Sequence, residues 1–154
     1  MLLIIIIIPK RIRKIIYENV KKHSPNETKG ALFACKKDDS TFEIEDIYIE
    51  PSVGSFAFVK LYNNKSYKRF CQKYFSKHED EDNVHNYIGD WHSHPSFSCY
   101  PSSYDKQEVE EDLRQSNALF LIQIILKIEH NKLIGNAFLY NKDCSAYKIK
   151  LIIL

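Results

Sequence analysis

Two histidines separated by a single residue, His92 and His94, end an apolar segment and constrain this chain more than any other feature. If that segment is a strand, alternate side chains point to the same face, so both imidazoles can reach one metal ion. Asp105 follows after a loop and can complete the ligand set. Two imidazole nitrogens and one carboxylate oxygen leave the fourth tetrahedral position open, as in catalytic zinc sites. The pattern therefore predicts a zinc hydrolase.

Each part of this pattern also has an ordinary structural explanation. Histidines often end strands and simply face water. Ser102 and Asp105, which follow Pro101 with two residues between them, match a helix capping arrangement. The capping and ligand interpretations are compatible, because a helix N-terminus can hold both a metal ligand and a hydrogen-bond donor in place.

A zinc hydrolase also needs a group that takes a proton from water and passes it to the leaving amine. Glu27 is the candidate, at the start of the second predicted strand. An ordinary surface glutamate at a strand entrance is the alternative, and the residues alone leave both open.

Length and composition favour one folded domain over residues 1–154, long enough to bury a core. The net charge of +2 argues against nucleic-acid and membrane partners. The apolar run at residues 1–8 is too short to span a bilayer and lacks the basic start of a signal peptide. Four cysteines without a Cys-x-x-Cys pair, together with the lack of a convincing secretion signal, favour a cytoplasmic protein with reduced thiols.

Hydrophobic periodicity predicts an alternation of strands and helices, with an irregularity at Glu45 and Asp46 and a close backbone approach at Gly30. The predicted strands cover residues 2–8, 27–35, 41–50, 85–93, 118–128, 132–140 and 145–154, with a further short strand over 55–62. The predicted helices cover residues 9–22, 64–77 and 103–116. This order indicates one α+β (mixed α/β) domain with a central, largely antiparallel sheet flanked by helices.

The motif residues resemble those of the JAMM (MPN+) metalloproteases, in particular the compact prokaryotic JAB-domain members. The resemblance rests on Glu27-x-x-Gly30-x-Leu32 and Trp91-His92-Ser93-His94-Pro95-x6-Ser102-x2-Asp105, and it extends over roughly residues 3–140. It implies an MPN/JAB-like fold and hydrolysis of the bond after the C-terminal glycine of a ubiquitin-like protein, in deconjugation or in precursor processing.

The resemblance also implies a role for each motif residue. His92, His94 and Asp105 would bind Zn²⁺, and Glu27 would orient and deprotonate the attacking water. Ser102 would donate a hydrogen bond to the developing oxyanion, a contact that stabilises the transition state of such reactions.

The chain departs from the family pattern in ways that limit this expectation. Ala34 stands where the family usually has a second glycine, a small substitution compatible with catalysis. No Cys/His cluster follows Asp105, so the second zinc site of the eukaryotic linkage-specific members is not expected. The chain is similar to stand-alone bacterial deconjugases, including those of anti-phage operons, where the conjugated target is a signalling nucleotidyltransferase.

Other residues near the motif have weaker interpretations. The segment 51–77 and the loop 96–100 are expected to flank a groove for the ubiquitin-like tail, with Phe97 and Tyr100 as substrate contacts or as packing residues. Trp91 is expected in the core. Cys99 is a poor nucleophile candidate, because histidines that bind zinc cannot serve as its base.

Two further function classes remain as alternatives to the enzyme. A non-catalytic MPN scaffold for protein–protein contact is the first, although scaffold members usually lack one or more of the motif residues. A nucleic-acid-associated member of the wider fold is the second, and the near-neutral charge disfavours it.

Overall fold

The computed structural model describes residues 3–51, 65–79, 81, 83–143 and 145–154. Its elements follow in the order β1 (Ile5–Ile8), α1 (Lys10–His23), β2 (Lys29–Lys36), β3 (Thr41–Ile49), α2 (Lys65–Lys77), β4 (His85–Ser93), α3 (Ser103–Gln115), β5 (Phe120–Glu129), β6 (Lys132–Asn141) and β7 (Ala146–Ile153). The predicted helices and strands within these residues are confirmed, with ends that differ by at most three residues. The short strand predicted over 55–62 lies outside the described residues.

The strands close into one barrel in the order β1-β3-β2-β4-β5-β6-β7, and β7 pairs with β1. The pairs β1–β3, β1–β7 and β4–β5 are parallel, and the other neighbouring pairs are antiparallel. The fold is therefore the predicted mixed α+β fold. The sequence patterns do not predict the closure, which removes free edges among the described strands.

The main core lies between the strands and one face of α1. Ile6 and Ile8 of β1 and Ile12 and Ile16 of α1 have no exposed surface, and they belong to one cluster with buried residues of the other strands. The buried residues of α1 recur at helical spacing, so only one face of the helix enters the core. Full burial of each such side chain contributes about 1.5–3 kcal/mol.

Gly30 brings β2 close to β3 and to Trp91. A Cβ atom at Gly30 would lie 1.6 Å from the carbonyl oxygen of Tyr48 and 2.9 Å from the indole nitrogen of Trp91. Trp91 is fully buried, and its indole N–H donates to the same Tyr48 oxygen at 3.2 Å. The close approach predicted at Gly30 and the core position predicted for Trp91 are both confirmed.

A bulge at Glu45 interrupts the pairing of β2 with β3. Phe33 pairs with Asp46, but Ala34 pairs with Ile44, so Glu45 is the extra residue. The irregularity predicted at this point is therefore present.

α2 packs on the outside of β2 through aromatic rings. The ring of Phe33 lies 5.1 Å from that of Phe70 and 4.7 Å from that of Tyr74. Tyr67 and Tyr74 are the buried residues of the helix. Within the described part of the chain, no helix combines the length and the apolar character needed to cross a membrane.

Candidate metal centre

The two predicted histidine ligands lie at the end of β4, an interior strand between β2 and β5. His92 pairs with Lys29 on one side and with Ile125 on the other. The backbone N–H of His94 donates to the carbonyl oxygen of Leu126 at 2.9 Å, and this bond continues the β4–β5 pairing beyond the last residue of β4. The two imidazoles lie on one face, and their Nε2 atoms are 3.0 Å apart.

The third predicted ligand, Asp105, lies in the first turn of α3, and Ser102 is the N-cap of that helix. The Ser102 hydroxyl accepts from the Asp105 N–H at 3.1 Å, and Asp105 Oδ2 accepts from the Ser102 N–H at 2.8 Å. The capping box is therefore present. The same Oδ2 atom lies 3.5 Å from His92 Nε2 and 3.4 Å from His94 Nε2, so the cap also orients the carboxylate toward the histidines.

These three atoms form a triangle with sides of 3.0, 3.4 and 3.5 Å. Ligands about 2.1 Å from a tetrahedral zinc ion are about 3.4 Å apart, so the residues fit such an ion. His94 Nδ1 lies 2.8 Å from the carbonyl oxygen of Ser98, which can only accept a hydrogen bond. In the neutral ring Nδ1 therefore carries the proton, and the Nε2 lone pair faces the site.

The charges at this site favour an anionic aspartate. Burial alone would raise the pKa of Asp105, but hydrogen bonds from His92 and His94 outweigh that effect and hold the pKa well below its usual range. The hydrogen bond to Asp105 in turn raises the pKa of His94, against the opposing effect of burial. A divalent cation would take the place of these shared protons.

Glu27 lies on an exposed segment just before β2, whereas the predicted strand 27–35 begins at this residue. β2 begins at Lys29 because the Thr28 N–H donates to the Ser93 side-chain oxygen at 2.9 Å instead of to a backbone carbonyl. The Ser93 N–H donates to the Thr28 carbonyl at 2.8 Å. These two bonds hold the Glu27 segment beside the residue that separates the histidines, and the Glu27 carboxylate contributes to the raised pKa of His94.

Ser102 is exposed on the other flank of the histidines. Its oxygen already accepts from the Asp105 N–H, so the hydroxyl hydrogen points away from the helix and can be donated. The structure thus brings the three predicted ligands together and places Glu27 and Ser102 at the ends of two segments beside them.

A polar layer that the sequence patterns do not predict lies behind the ligands. The fully buried Gln123 of β5 donates to the Asp105 carbonyl at 3.5 Å and accepts from the Tyr140 hydroxyl at 3.1 Å. Burial and neighbouring carboxylates raise the pKa of Asp90 to about 8 and that of Glu108 to about 7. The only signal in the sequence is one polar residue inside the apolar run that contains Gln123.

The loop after His94 carries exposed aromatic side chains. Phe97 is 67% exposed with its ring 6.3 Å from that of His94, and Tyr100 is 55% exposed. Cys99 between them is buried, and burial raises the pKa of its thiol, which disfavours a thiolate nucleophile. Residues 52–64 of the expected opposite flank lie outside the described residues.

The barrel and its convergent ligand atoms define a JAB/MPN-like domain. The chain belongs to the family described as prokaryotic homologs of the JAB domain, whose model matches residues 9–135. This family includes zinc isopeptidases as well as non-catalytic members. No curated protein matches the chain.

Two solved structures share the fold at low sequence identity, and a third is also similar. A solution structure of a Desulfitobacterium hafniense protein is 21% identical with a TM-score of 0.62, covering 97% of this chain and 92% of its own. A solution structure of a Salinibacter ruber protein is 15% identical with a TM-score of 0.55, covering 96% and 90%. A crystal structure titled as a JAB1/MPN domain protein from Archaeoglobus fulgidus is 18% identical with a TM-score of 0.49, covering 94% and 97%.

Proposed function

We propose that this protein is a zinc-dependent isopeptidase or peptidase that hydrolyses the bond after the C-terminal glycine of a ubiquitin-like protein. The observation that carries the proposal is the convergence of His92 Nε2, His94 Nε2 and Asp105 Oδ2 within 3.5 Å of one another. Three protein ligands leave a coordination position open, and a structural zinc site would fill it.

The proposed mechanism assigns one task to each residue beside the ligands. Zn²⁺, when bound to His92, His94 and Asp105, supplies Lewis-acid activation of the water and the scissile carbonyl. Glu27 accepts the proton of the attacking water and donates it to the leaving amine. The Ser102 hydroxyl donates to the carbonyl oxygen as negative charge develops there.

The substrate assignment rests on the resemblance to the JAMM metalloproteases and on the surface beside the ligands. An extended tail that ends in glycine can pass between side chains and bring its last carbonyl to the site. Phe97 and Tyr100 are exposed next to the ligand loop, where they can contact such a tail. The partner is then a ubiquitin-like protein or its conjugate, and a nucleotidyltransferase is one target that the resemblance suggests.

Zinc content tests the metal centre directly. Elemental analysis of the purified protein and of a His92→Ala/His94→Ala variant should differ by about one zinc ion per chain, since one open site holds one ion. If the two proteins hold equal zinc after purification and after zinc titration, the metal centre is refuted and the scaffold alternative is favoured.

The role of Glu27 requires an activity assay on the zinc-loaded protein. Glu27→Ala should retain the zinc but lose about 10²–10⁴ of the hydrolysis rate on a ubiquitin-like protein with a fluorogenic C-terminal amide. Glu18→Ala is the matched control, because Glu18 is also an exposed glutamate but lies on α1, and this variant should keep the wild-type rate. Retained turnover in Glu27→Ala would overturn the assigned role.

The identity of the neighbouring genes tests the proposed cellular setting. A deconjugase of an anti-phage operon should be encoded beside a conjugation enzyme and the target that carries the conjugate. Neighbouring genes without any conjugation enzyme would remove the support for a defence role, while the proposed chemistry would stand on its own assays.

A further inference from the structure

A second cluster of metal-ligand side chains lies at the opposite end of β4. His85 begins the strand and His92 lies near its end, seven residues later, which separates them by about 23 Å at the usual rise of a strand. Four elements contribute to this cluster: Cys35 from β2, Glu45 from β3, His78 and Glu81 from the segment after α2, and His85 from β4.

Glu45 is the residue around which the cluster is arranged. It is the extra residue of the β3 bulge, and its Oε1 atom lies 2.5 Å from His85 Nδ1 and 3.7 Å from His78 Nε2. The Tyr74 hydroxyl donates to the same oxygen. Cys35 faces His85 across the β2–β4 pairing, and ligand atoms of Cys35, Glu45 and His85 all lie within 4.8 Å of one another.

The hydrogen bonds of this cluster cannot all be satisfied by two neutral imidazoles. The rings of His78 and His85 stack at 3.8 Å with an angle of 15°, and each ring has one nitrogen near Glu45 and the other near Glu81. Two neutral rings carry two N–H groups for four such positions. Nδ1 of His78 is buried without a hydrogen bond, although Glu81 Oε1 lies 3.3 Å away.

We propose that Cys35, Glu45 and His85 bind a second zinc ion, with His78 as the fourth ligand. Thiolate, imidazole and carboxylate are all ligand types that zinc binds in proteins. The 3.7 Å between His78 Nε2 and Glu45 Oε1 already approaches the spacing of two ligands on one ion. Stacked, nearly parallel rings do not direct their nitrogens at one point, so zinc binding would require the His78 side chain to rotate toward the ion.

The ion has a structural task at this position. It joins β2, β3, β4 and the segment that follows α2, and it has no open position for a substrate. Burial raises the pKa of the Cys35 thiol, with Lys37 partly offsetting the effect and Glu45 adding to it. Binding therefore releases the thiol proton as the Zn–S bond forms.

Cobalt substitution distinguishes this site from the first, whose ligands include no sulfur. In a His92→Ala/His94→Ala background, one equivalent of Co²⁺ should produce a thiolate-to-cobalt charge-transfer band. Cys35→Ser should abolish the band, and Cys71→Ser, a matched change of another partly buried cysteine, should leave it unchanged. The absence of a band in the double-histidine variant, or its survival in Cys35→Ser, would overturn the proposal.

Zinc protection of the thiols supplies a measurement that needs no substitution. In the wild-type chain, added zinc should slow alkylation of Cys35, mapped by mass spectrometry, without slowing that of Cys71. Total zinc should be about two per chain in the wild type and about one in the double-histidine variant, since each site holds one ion. Equal alkylation of Cys35 with and without zinc would mean that the cluster is only a network of shared protons.

Discussion

Replacing Ser102 separates two roles that the structure gives to one hydroxyl group. The oxygen accepts from the Asp105 N–H as the N-cap of α3, and the hydrogen is available to a substrate oxyanion. Ser102→Ala removes both contacts, whereas Ser102→Gly removes the hydroxyl but keeps a residue that caps helices well. The Ser102 N–H still donates to Asp105 Oδ2 in both variants, so the candidate ligand stays oriented and zinc content should not change.

The expected magnitudes differ enough to be measured independently. Loss of the cap in Ser102→Ala should cost about 1 kcal/mol of stability, and the loss in Ser102→Gly should be a few tenths. For a chain of this size, about 1 kcal/mol lowers Tm by about 2–4 °C. Loss of an oxyanion donor should lower kcat by about 10²–10³ in both variants, which is about 2.7–4 kcal/mol.

Thermal unfolding and single-turnover hydrolysis of the zinc-loaded variants provide the two measurements. Ser102→Thr keeps an oxygen acceptor and a hydroxyl donor, so it is the control. Its stability should stay close to wild type, and its kcat should keep the contribution of the oxyanion donor. Wild-type kcat in Ser102→Ala would refute the oxyanion role. Equal destabilisation of the Ala and Gly variants would refute the capping argument, because the two side chains differ in their cost at an N-cap.

Three further predictions concern packing, pH dependence and substrate contact. Gly30→Ala places a methyl group 1.6 Å from a backbone oxygen of the neighbouring strand, so it should lower the free energy of unfolding by about 3 kcal/mol or more. A Tm within about 1 °C of wild type would contradict this. Burial raises the pKa of Glu108 to about 7, so its ionisation opposes folding progressively above the unfolded pKa and fully above pH 7. Glu108→Gln should therefore gain up to about 3 kcal/mol over wild type in urea unfolding at pH 8 relative to pH 4, and a gain that is the same at both pH values would refute the assignment. Phe97→Ala should raise KM without changing Tm, because the ring is 67% exposed. Leu119→Ala, at a side chain that is 81% exposed, is the control and should change neither KM nor Tm. An unchanged KM for Phe97→Ala would remove this contact from the proposal.

The two clusters on β4 illustrate how one strand can serve two sites. Its end carries His92 and the start carries His85, and β4 is paired on both sides, so neither histidine lies on a free edge. The three candidate ligand atoms of the first site approach one another from β4, the loop after it and the first turn of α3. The second cluster instead collects residues from β2, from both of its neighbours β3 and β4, and from the segment after α2. If both bind zinc, the first has an open position and the second is closed, which is the difference between catalytic and structural zinc sites.

The first site could be predicted from the sequence because its parts are close along the chain. The two-residue period of a strand puts His92 and His94 on one face, and a capping pattern puts Asp105 in the first turn of the next helix. Local periodicity likewise predicts the helices, most strand positions and the bulge at Glu45. These features depend on neighbours within a few residues, which is the range over which sequence patterns are informative.

Only the tertiary structure decided which distant segments meet. Barrel closure depends on pairing β1 with β7 across almost the whole chain, and no local pattern specifies that pairing. Gln123 contacts the backbone of the candidate ligand Asp105 because β5 lies beside β4, and Cys35 meets His85 because β2 lies on the other side. The segment that carries Glu27 lies beside the histidines because Thr28 bonds to Ser93, 65 residues apart. Such contacts arise from the packing of whole elements, so the polar layer and the second cluster become visible only in the folded chain.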